Sequence, residues 1–381
     1  MKSMKIAYLL HFNFEPSSGV YKKIRDEVKQ LLKFGQEVRI FLVTRNDKLR
    51  RFLLESDFRD IIEIEMYPDK LNFHSLSKKL DTLYSLSKSS NAMRHIRNSI
   101  LKWNPDIIYT RQDLYYSSIT EIGKKKPLII EINTYDLGEL RILSKFRYIY
   151  NLLTRDKMLS TASGFVFVTY ELSEMKAYKK FEKPYEVIGN GINLDEIQPI
   201  PVLPHNDITI VFLGQGKYPW YGIDKICYLA KCFPNWKFYL VGLEEQDLKG
   251  SERLPNVTCC GFLKCEQYIN LLKIADCAIG TLALHRIGIN EASPIKTREY
   301  LAFGLPVIIA YKDTDFPEEV DFILRLPNNQ SNIEENLILI KEFVLKWKGK
   351  RVPRNNILHL GIERKLLKKL TFFESVLKRG E

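Results

Sequence analysis

The sequence predicts an α/β protein made of two doubly wound domains in tandem, each built on a parallel sheet. Strand-sized apolar runs alternate along the whole chain with segments whose apolar residues recur at helical spacing. A proline-rich break near residues 190–207 splits this alternation into two series. The length of 381 residues suits two domains of about 150 residues each.

In the first series, residues 6–10 form an apolar strand. Val20, Ile24, Val28, Leu31 and Leu32 then fall on one helical face, and Gly35 closes that helix. Residues 38–43 are the next strand, followed by strands at 61–66, 107–109, 128–132, 165–168 and 186–188. Such a βαβ series implies a parallel sheet covered on both faces. Pro199, Pro201 and Pro204 mark a linker. The second series has strands at 208–213, 238–241, 257–259, 277–280, 307–309 and 322–324. Helices over 332–346 and about 361–377 end the chain. The boundaries expected are an N-terminal domain over 1–188, a linker over 189–207, a C-terminal domain over 208–360, and a helix over 361–381 packing back on the N-terminal domain. Two Rossmann-like domains of this kind bind ligands beyond the carboxyl ends of their strands, so a cleft between them is the expected site.

Composition excludes disorder, collagen and coiled coil: 45% of residues are hydrophobic and 27% charged. No apolar run approaches the ~18–20 residues of a membrane span. The start, Met1-Lys2-Ser3-Met4-Lys5, runs into a strand pattern without the apolar core of a signal peptide. Cys227, Cys232, Cys259, Cys260, Cys265 and Cys277 show no paired metal knuckle, and they read as apolar core fillers in a reducing, cytoplasmic compartment. The net charge of +12 is concentrated at the ends: residues 1–50 carry 11 basic and 5 acidic side chains, and residues 351–381 carry 8 and 3. This favours anionic partners. Nucleic acid is set aside because no zinc finger, RNP-like signature or basic low-complexity tail is present. An anionic membrane surface and a merely basic, solvated surface remain open.

The chemically informative stretch runs from Glu291 to Pro306. Ser293 suits an N-cap and Pro294 a first helical position, while Gly304 and Pro306 end the helix. Lys296 in the first turn opposes the helix dipole, at a cost of about 0.3–1 kcal/mol at an exposed site. Amides, dipole and ammonium together form an anion site, and a diphosphate makes the lysine favourable. A solvated lysine is the alternative. A carboxylate at Glu299 matches the two hydroxyls of a ribose, or else pairs with Lys296 or Arg298 on the helix surface.

Glu291 and Glu299 are separated by seven residues, and the stretch resembles the E-x7-E motif of family 4 retaining glycosyltransferases. Gly189-Asn190-Gly191-Ile192-Asn193 is similar to that family's junction loop. Phe212-Leu213-Gly214 and Trp220-Tyr221-Gly222-Ile223-Asp224 resemble its nucleotide-sugar loop, and Leu240-Val241-Gly242 its next strand. The resemblance spans nearly the whole chain, more weakly before residue 160. It implies the GT-B fold, two Rossmann-like domains facing a central cleft, and transfer of a hexose from a UDP-, GDP- or other nucleoside diphosphate sugar. The acceptor implied is a hydroxyl of a glycan or lipid-linked glycan in cell-surface polysaccharide or capsule synthesis, with no required metal or other cofactor.

By the same resemblance, Glu291, Lys296 and Asn133 are the catalytic candidates. Gly19, Gly214, Gln215, Gly216, Lys217, Ser293, Pro294, Ile295 and Glu299 are the donor-binding ones; His285, six residues before Glu291, joins them by position, a packed or surface histidine being at least as open. His11, Thr134, Asp136 and Asn190 are placed on the acceptor side, although a capping role for Asp136 and for Glu139 is equally open. One departure stands out. The family's Arg and Lys of the nucleotide-sugar loop are here Gln215 and Tyr221. Neutralising the diphosphate then falls to Lys217, Arg286 or, first, Lys296. A non-catalytic nucleotide- or glycan-binding member of the fold is the alternative reading. Asp313-Thr314-Asp315 matches a D-x-D metal motif of a different fold, but two carboxylates alone are a thin Mg²⁺ site and the stretch reads as a solvated loop. No nucleophile elbow, Walker A loop or dinucleotide-binding G-x-G-x-x-G occurs.

Overall fold

Residues 6–10 of the first strand are almost completely buried, as expected of a central parallel strand covered by helices on both faces. The computed structural model describes residues 3–13, 15, 18–68, 78–216, 218–248 and 254–380. The backbone divides into two units, Met1–Ile188 with Lys365–Glu381, and Gly189–Arg364.

The first unit runs β1 (Lys5–His11), α1 (Gly19–Lys33), β2 (Glu37–Thr44), α2 (Asp47–Leu54), β3 (Ile62–Met66), α3 (Lys78–Trp103), β4 (Ile107–Arg111), α4 (Ser117–Gly123) and β5 (Leu128–Ile132). It continues with α5 (Asp136–Leu143), α6 (Lys145–Thr161), β6 (Gly164–Phe167), α7 (Tyr170–Glu174), α8 (Lys176–Lys179) and β7 (Tyr185–Val187). Its seven strands form one parallel sheet in the order β3-β2-β1-β4-β5-β6-β7. The order reverses at β1 and β4, so the loops after these two strands lie side by side.

The second unit has β8 (Thr209–Leu213), α9 (Ile223–Cys232), β9 (Lys237–Val241), β10 (Val257–Cys259), α10 (Cys265–Ile274) and β11 (Cys277–Ile279). Then come β12 (Glu291–Ala292), α11 (Ile295–Phe303), β13 (Val307–Ile309), β14 (Lys312–Asp313), β15 (Ile323–Arg325) and α12 (Leu337–Trp347). The parallel sheet has the order β10-β9-β8-β11-β13-β15, and β12 pairs with β14 in a separate ribbon. Helix α13 (Ile362–Gly380) passes from the second unit into the first, with the change at Lys365. The α/β class expected from the alternation is the one observed, with strand limits shifted by one or two residues. The β12–β14 ribbon was not legible, because two residues per strand are too few to show a period.

Two sequence expectations change. Residues 189–207 are part of the second unit rather than a free connection. Ile192 pairs with Gly361, and the N–H groups of Ile200 and Leu203 bond to Phe303 O and Lys273 O. The prolines stiffen a strap that is hydrogen-bonded to its own domain. Of the six free cysteines, only Cys227 and Cys277 are buried; the others are half-buried, so the core-filler reading fits two.

Helix α13 is fastened in the first unit by a buried ion cluster. Lys369 Nζ lies 2.9 Å from Glu27 and 3.3 Å from Glu131, and Lys23 Nζ lies 2.5 Å from Glu131. Tyr8 donates to Glu27 and Tyr109 to Glu131. Burial pushes the Glu131 carboxyl up, but the ammonium groups of Lys23 and Lys369 outweigh it and hold it well below the usual carboxylate range. A folded value below the unfolded one means that the stabilisation is full above about pH 4.3 and is lost as pH falls through the folded value. Lys369→Met is expected to destabilise the protein by about 3–5 kcal/mol at neutral pH, since it strands a buried carboxylate. Urea unfolding at neutral pH measures that loss, and melts on acidification are expected to show a shallower decline for the variant than for wild type.

Candidate functional site

Helix α11 follows the β12 strand and packs its whole second half into the core, with Thr297 to Phe303 all buried. Its start differs from the sequence expectation. Helical geometry begins at Ile295, Pro294 occupies the cap position, and no side chain caps the helix. The N–H groups of Thr297 and Arg298 reach Pro294 O at 3.1 and 3.3 Å, which leaves those of Ile295 and Lys296 ahead of the helical ladder.

Ser293 does not cap because its hydroxyl is used elsewhere. It accepts from Asn190 N at 2.7 Å and from Arg298 Nη2 at 2.8 Å. Arg298 is fully buried and distributes its donors over four neighbours. Nη1 and Nη2 clamp Asp313 at 2.6 and 2.8 Å, Nη2 also reaches Asp315 at 2.9 Å, and Nε donates to Asn190 O at 3.2 Å. The two carboxylates outweigh the burial penalty and raise the guanidinium pKa further. One expectation changes: the Asp313-x-Asp315 pair, read as a solvated loop, is the counterion of buried Arg298. Asn190, expected on the acceptor side, bonds Ser293 and Arg298 and holds the start of α11. A side chain at Gly189 would meet Asp315 Oδ2 at 2.3 Å, so the junction loop needs glycine there for close packing.

Lys296 is the distinctive group. Its side chain is half-buried, yet Nζ itself is closed off and has no hydrogen-bond partner among the described residues. It lies 4.1 Å from the ring centre of Phe212 and 3.7 Å from that of Tyr221. Burial pushes its pKa well below the ordinary lysine value, while two ring faces return part of the lost solvation, about 0.5–2 kcal/mol for such contacts. Tyr221, which stands where the resemblance expects a lysine, is thus the floor beneath a lysine from another element.

Glu299 is buried one turn further along and accepts a hydrogen bond from Tyr268 of α10. The surface pairing with Lys296 or Arg298 is not formed, because Arg298 points to the aspartates. Glu291 is buried in β12, paired in register with Lys312 of β14. In the loop after β8, Gly214 N bonds Val241 O at 3.0 Å, and a side chain at Gly242 (φ 85°) would strike Gly214 O at 2.1 Å. Gly216 abuts Asp247, and Gln215 is exposed. Lys217 lies outside the described residues. Arg286 is not available as a diphosphate cation: it is bidentate to Asp224 at 2.9 and 2.6 Å and bonds Pro219 O. His285 rests against Asn328 and Gln330.

In the first unit, His11 ends β1. Its Nδ1 is 2.5 Å from Asp113 and its Nε2 3.1 Å from the Tyr67 hydroxyl. It lines a cavity of about 150 Å³ with Phe12, Thr110, Arg111, Gln112 and Tyr116. Sequence reasoning missed Asp113, although the adjacency of β1 and β4 brings the residues after both strands together. Asn133 lies between Lys23 (3.3 Å) and Glu131 (2.7 Å) at the edge of the ion cluster. Thr134 donates to Glu139, whose carboxyl burial pushes up. Asp136, expected on the acceptor side with a structural role equally open, is the counterion of Arg155: Arg155, Asn151 and Tyr178 all bond it at 2.6–3.1 Å. Gly19 is the exposed first residue of α1, capped by Ser18.

No family model and no curated protein matches this sequence. Solved structures do match. A glycosyltransferase from Rickettsia africae superposes with TM-score 0.65 at 16% identity, covering 99% of this chain and 100% of that one. Sucrose-phosphate synthase from Thermosynechococcus elongatus gives 0.62 at 17%, covering 99% and 97%. HepE of Anabaena, solved with UDP-glucose, gives 0.59 at 14%, covering 99% and 98%. The chain has the GT-B fold of these glycosyltransferases, with two parallel-sheet α/β domains.

Arg298→Lys is expected to destabilise the protein by about 3–5 kcal/mol, since one ammonium leaves buried Asp313 and half-buried Asp315 under-bonded. Urea unfolding measures it, and a loss below about 1 kcal/mol contradicts the clamp.

Proposed function

We propose that the protein is a glycosyltransferase of the retaining, family 4 kind. It moves a hexose from a nucleoside diphosphate sugar to a hydroxyl of a glycan or lipid-linked glycan in cell-surface polysaccharide synthesis. The observation that carries the reading is Lys296, a closed-off ammonium without a hydrogen-bond partner among the described residues, in the first turn of a helix whose opening amides lie outside the ladder. A diphosphate supplies the charge and acceptors that this ammonium lacks, with the opening amides beside it. Solved relatives of the fold that include a UDP-glucose complex support the donor class.

In this reading, the bond from the anomeric carbon to the diphosphate oxygen breaks while a bond to the acceptor oxygen forms on the same face, and the acceptor hydroxyl's proton passes to the departing diphosphate oxygen. Negative charge grows on the departing diphosphate, and Lys296 with the amides of Ile295 and Lys296 stabilises it. Glu299 accepts the ribose hydroxyls beside Tyr268, and Glu291 accepts those of the donor sugar. No bound metal is needed, since Lys296 and the helix opening supply the positive charge, and no protein nucleophile is invoked.

Thermal shift with UDP, GDP and other nucleoside diphosphates tests donor binding. One of them at about 100 times its dissociation constant adds ~2.7 kcal/mol. Lys296→Met and Glu299→Gln are each expected to weaken that binding at least tenfold, the size of one lost charge-assisted contact; unchanged binding in both contradicts the site. A diphosphate raises the depressed Lys296 pKa, so binding at mildly alkaline pH takes up a proton in wild type and not in Lys296→Met. Calorimetry in buffers of different ionisation enthalpy reads this.

One observation favours a second reading, nucleotide binding without transfer: Gln215 is exposed and Tyr221 is packed under Lys296, so neither supplies a cation. Release of nucleoside diphosphate from a donor sugar in the presence of acceptor separates the two.

A further inference from the structure

Eighteen large hydrophobic side chains are exposed among the described residues, and five of them fall within twelve consecutive positions of the first unit. Ile142 and Leu143 close α5, and Ile149, Leu152 and Leu153 lie on α6. On α6 the exposed positions Lys145, Ile149, Leu152, Leu153 and Asp156 follow i, i+4, i+7, i+8 spacing, so they share one face. Leu153 is 73% exposed and Leu152 51%. The opposite face carries the buried Asn151, Arg155, Met158 and Leu159 and packs into the domain. The outward face is therefore the anomaly: an aqueous surface has no use for three aliphatic residues in one stripe.

The surrounding charge identifies the occupant. Lys145 and Lys157 are exposed in and beside the stripe on α6, and Arg141 is exposed near the end of α5. The exposed acid Asp156 is paired with Lys180 and lies 3.5 Å from Arg155, which removes its charge from the balance. Aliphatic residues flanked by Lys and Arg on a helix anchored by its other face form the pattern of a helix lying in a lipid interface. Among the described residues no helix is long and apolar enough to cross a membrane, so contact with a bilayer must be of this peripheral kind.

We infer that the α5–α6 face, with Ile149, Leu152 and Leu153 at its centre, docks on a bilayer rich in anionic phospholipid. The aliphatic side chains enter the headgroup boundary, and the basic residues sit at the level of the phosphates. This goes beyond sugar transfer: it assigns a surface to a partner, and it gives a protein with no membrane-crossing helix among its described residues a way to reach an acceptor held in lipid. The inference rests on the proposed function only for that last point. The stripe and α11 belong to different units, so lipid binding and nucleotide binding fail separately.

The test is co-sedimentation of the full chain with vesicles of phosphatidylcholine alone and of phosphatidylcholine with one-third phosphatidylglycerol. Wild type is expected to bind the anionic vesicles, to ignore the neutral ones and to be released by high salt. Ile149→Asp with Leu153→Asp is expected to lower binding at least about tenfold. Lys145→Glu with Lys157→Glu is expected to remove the preference for anionic lipid. Both double variants alter exposed residues, so melting temperature and nucleoside diphosphate stabilisation should match wild type; this shows that lost lipid binding is not lost folding. Equal vesicle binding by the Asp variant overturns the inference. So does a wild type that binds neither vesicle, including the case in which light scattering shows a dimer that the Asp variant dissociates, for then the face is covered by a second copy.

Discussion

The second unit depends on one buried guanidinium. Arg298 has no solvent, and each of its donors must end on protein. Asp313 takes two bonds, and Asp315, Ser293 and the Asn190 carbonyl take the rest. These partners come from three separate stretches: the junction loop, the residues before α11 and the β14 strand. The clamp therefore fixes where α11 begins and which way its first turn faces. An ion cluster of this sort adds little net stability beyond a well-packed apolar one, but it is intolerant of losing a member. Its value here is geometric, because the amides at the helix start gain a defined position.

The same helix carries the opposite electrostatic condition two residues earlier. Arg298 has more carboxylate than it needs, while Lys296 has none and leans on two aromatic rings. A cation held at such a place stays partly unsatisfied. That is a cost to the fold and, in the proposed reading, what a diphosphate relieves, as is common where function conflicts with packing. The first unit holds its charges differently. Lys23, Lys369, Glu27 and Glu131 balance one another. That cluster ties α13 to the sheet and lends Asn133 its partners at the same edge.

Much of this was legible beforehand. The strands of both sheets stand within a residue or two of the apolar runs that announced them, because a buried parallel strand has to be apolar on both faces. The end of the helix at Phe303 was legible from Gly304 and Pro306, while its start was expected one residue early, at Pro294. What escaped was of another kind. The ribbon of β12 and β14 is too short for any period. Ser293 has the chemistry of a cap but is drawn off by Arg298, and Asp136 has the chemistry of an acceptor contact but is drawn off by Arg155. The partners lie 5 and 19 residues away, and nothing local ranks a cap against an ion pair. A buried arginine on an otherwise apolar helix face does announce a need for carboxylates, and the nearby D-x-D spacing is the signal that could have met it.

The sequence alone determined the layering of the protein. Alternating apolar periods of two kinds, broken once by prolines, permit little except two parallel-sheet domains, since burial of apolar surface is a local bookkeeping of pattern. It also determined which residue types are assembled around α11. Only the tertiary structure decided what those residues do there. Hydrogen-bond donors and charges are satisfied by whichever partner the fold brings within about 3 Å, and that partner is set by chain topology rather than by sequence spacing. So Lys296 could be placed on its helix from the sequence, but its ammonium's seclusion over Phe212 and Tyr221 belongs to the fold.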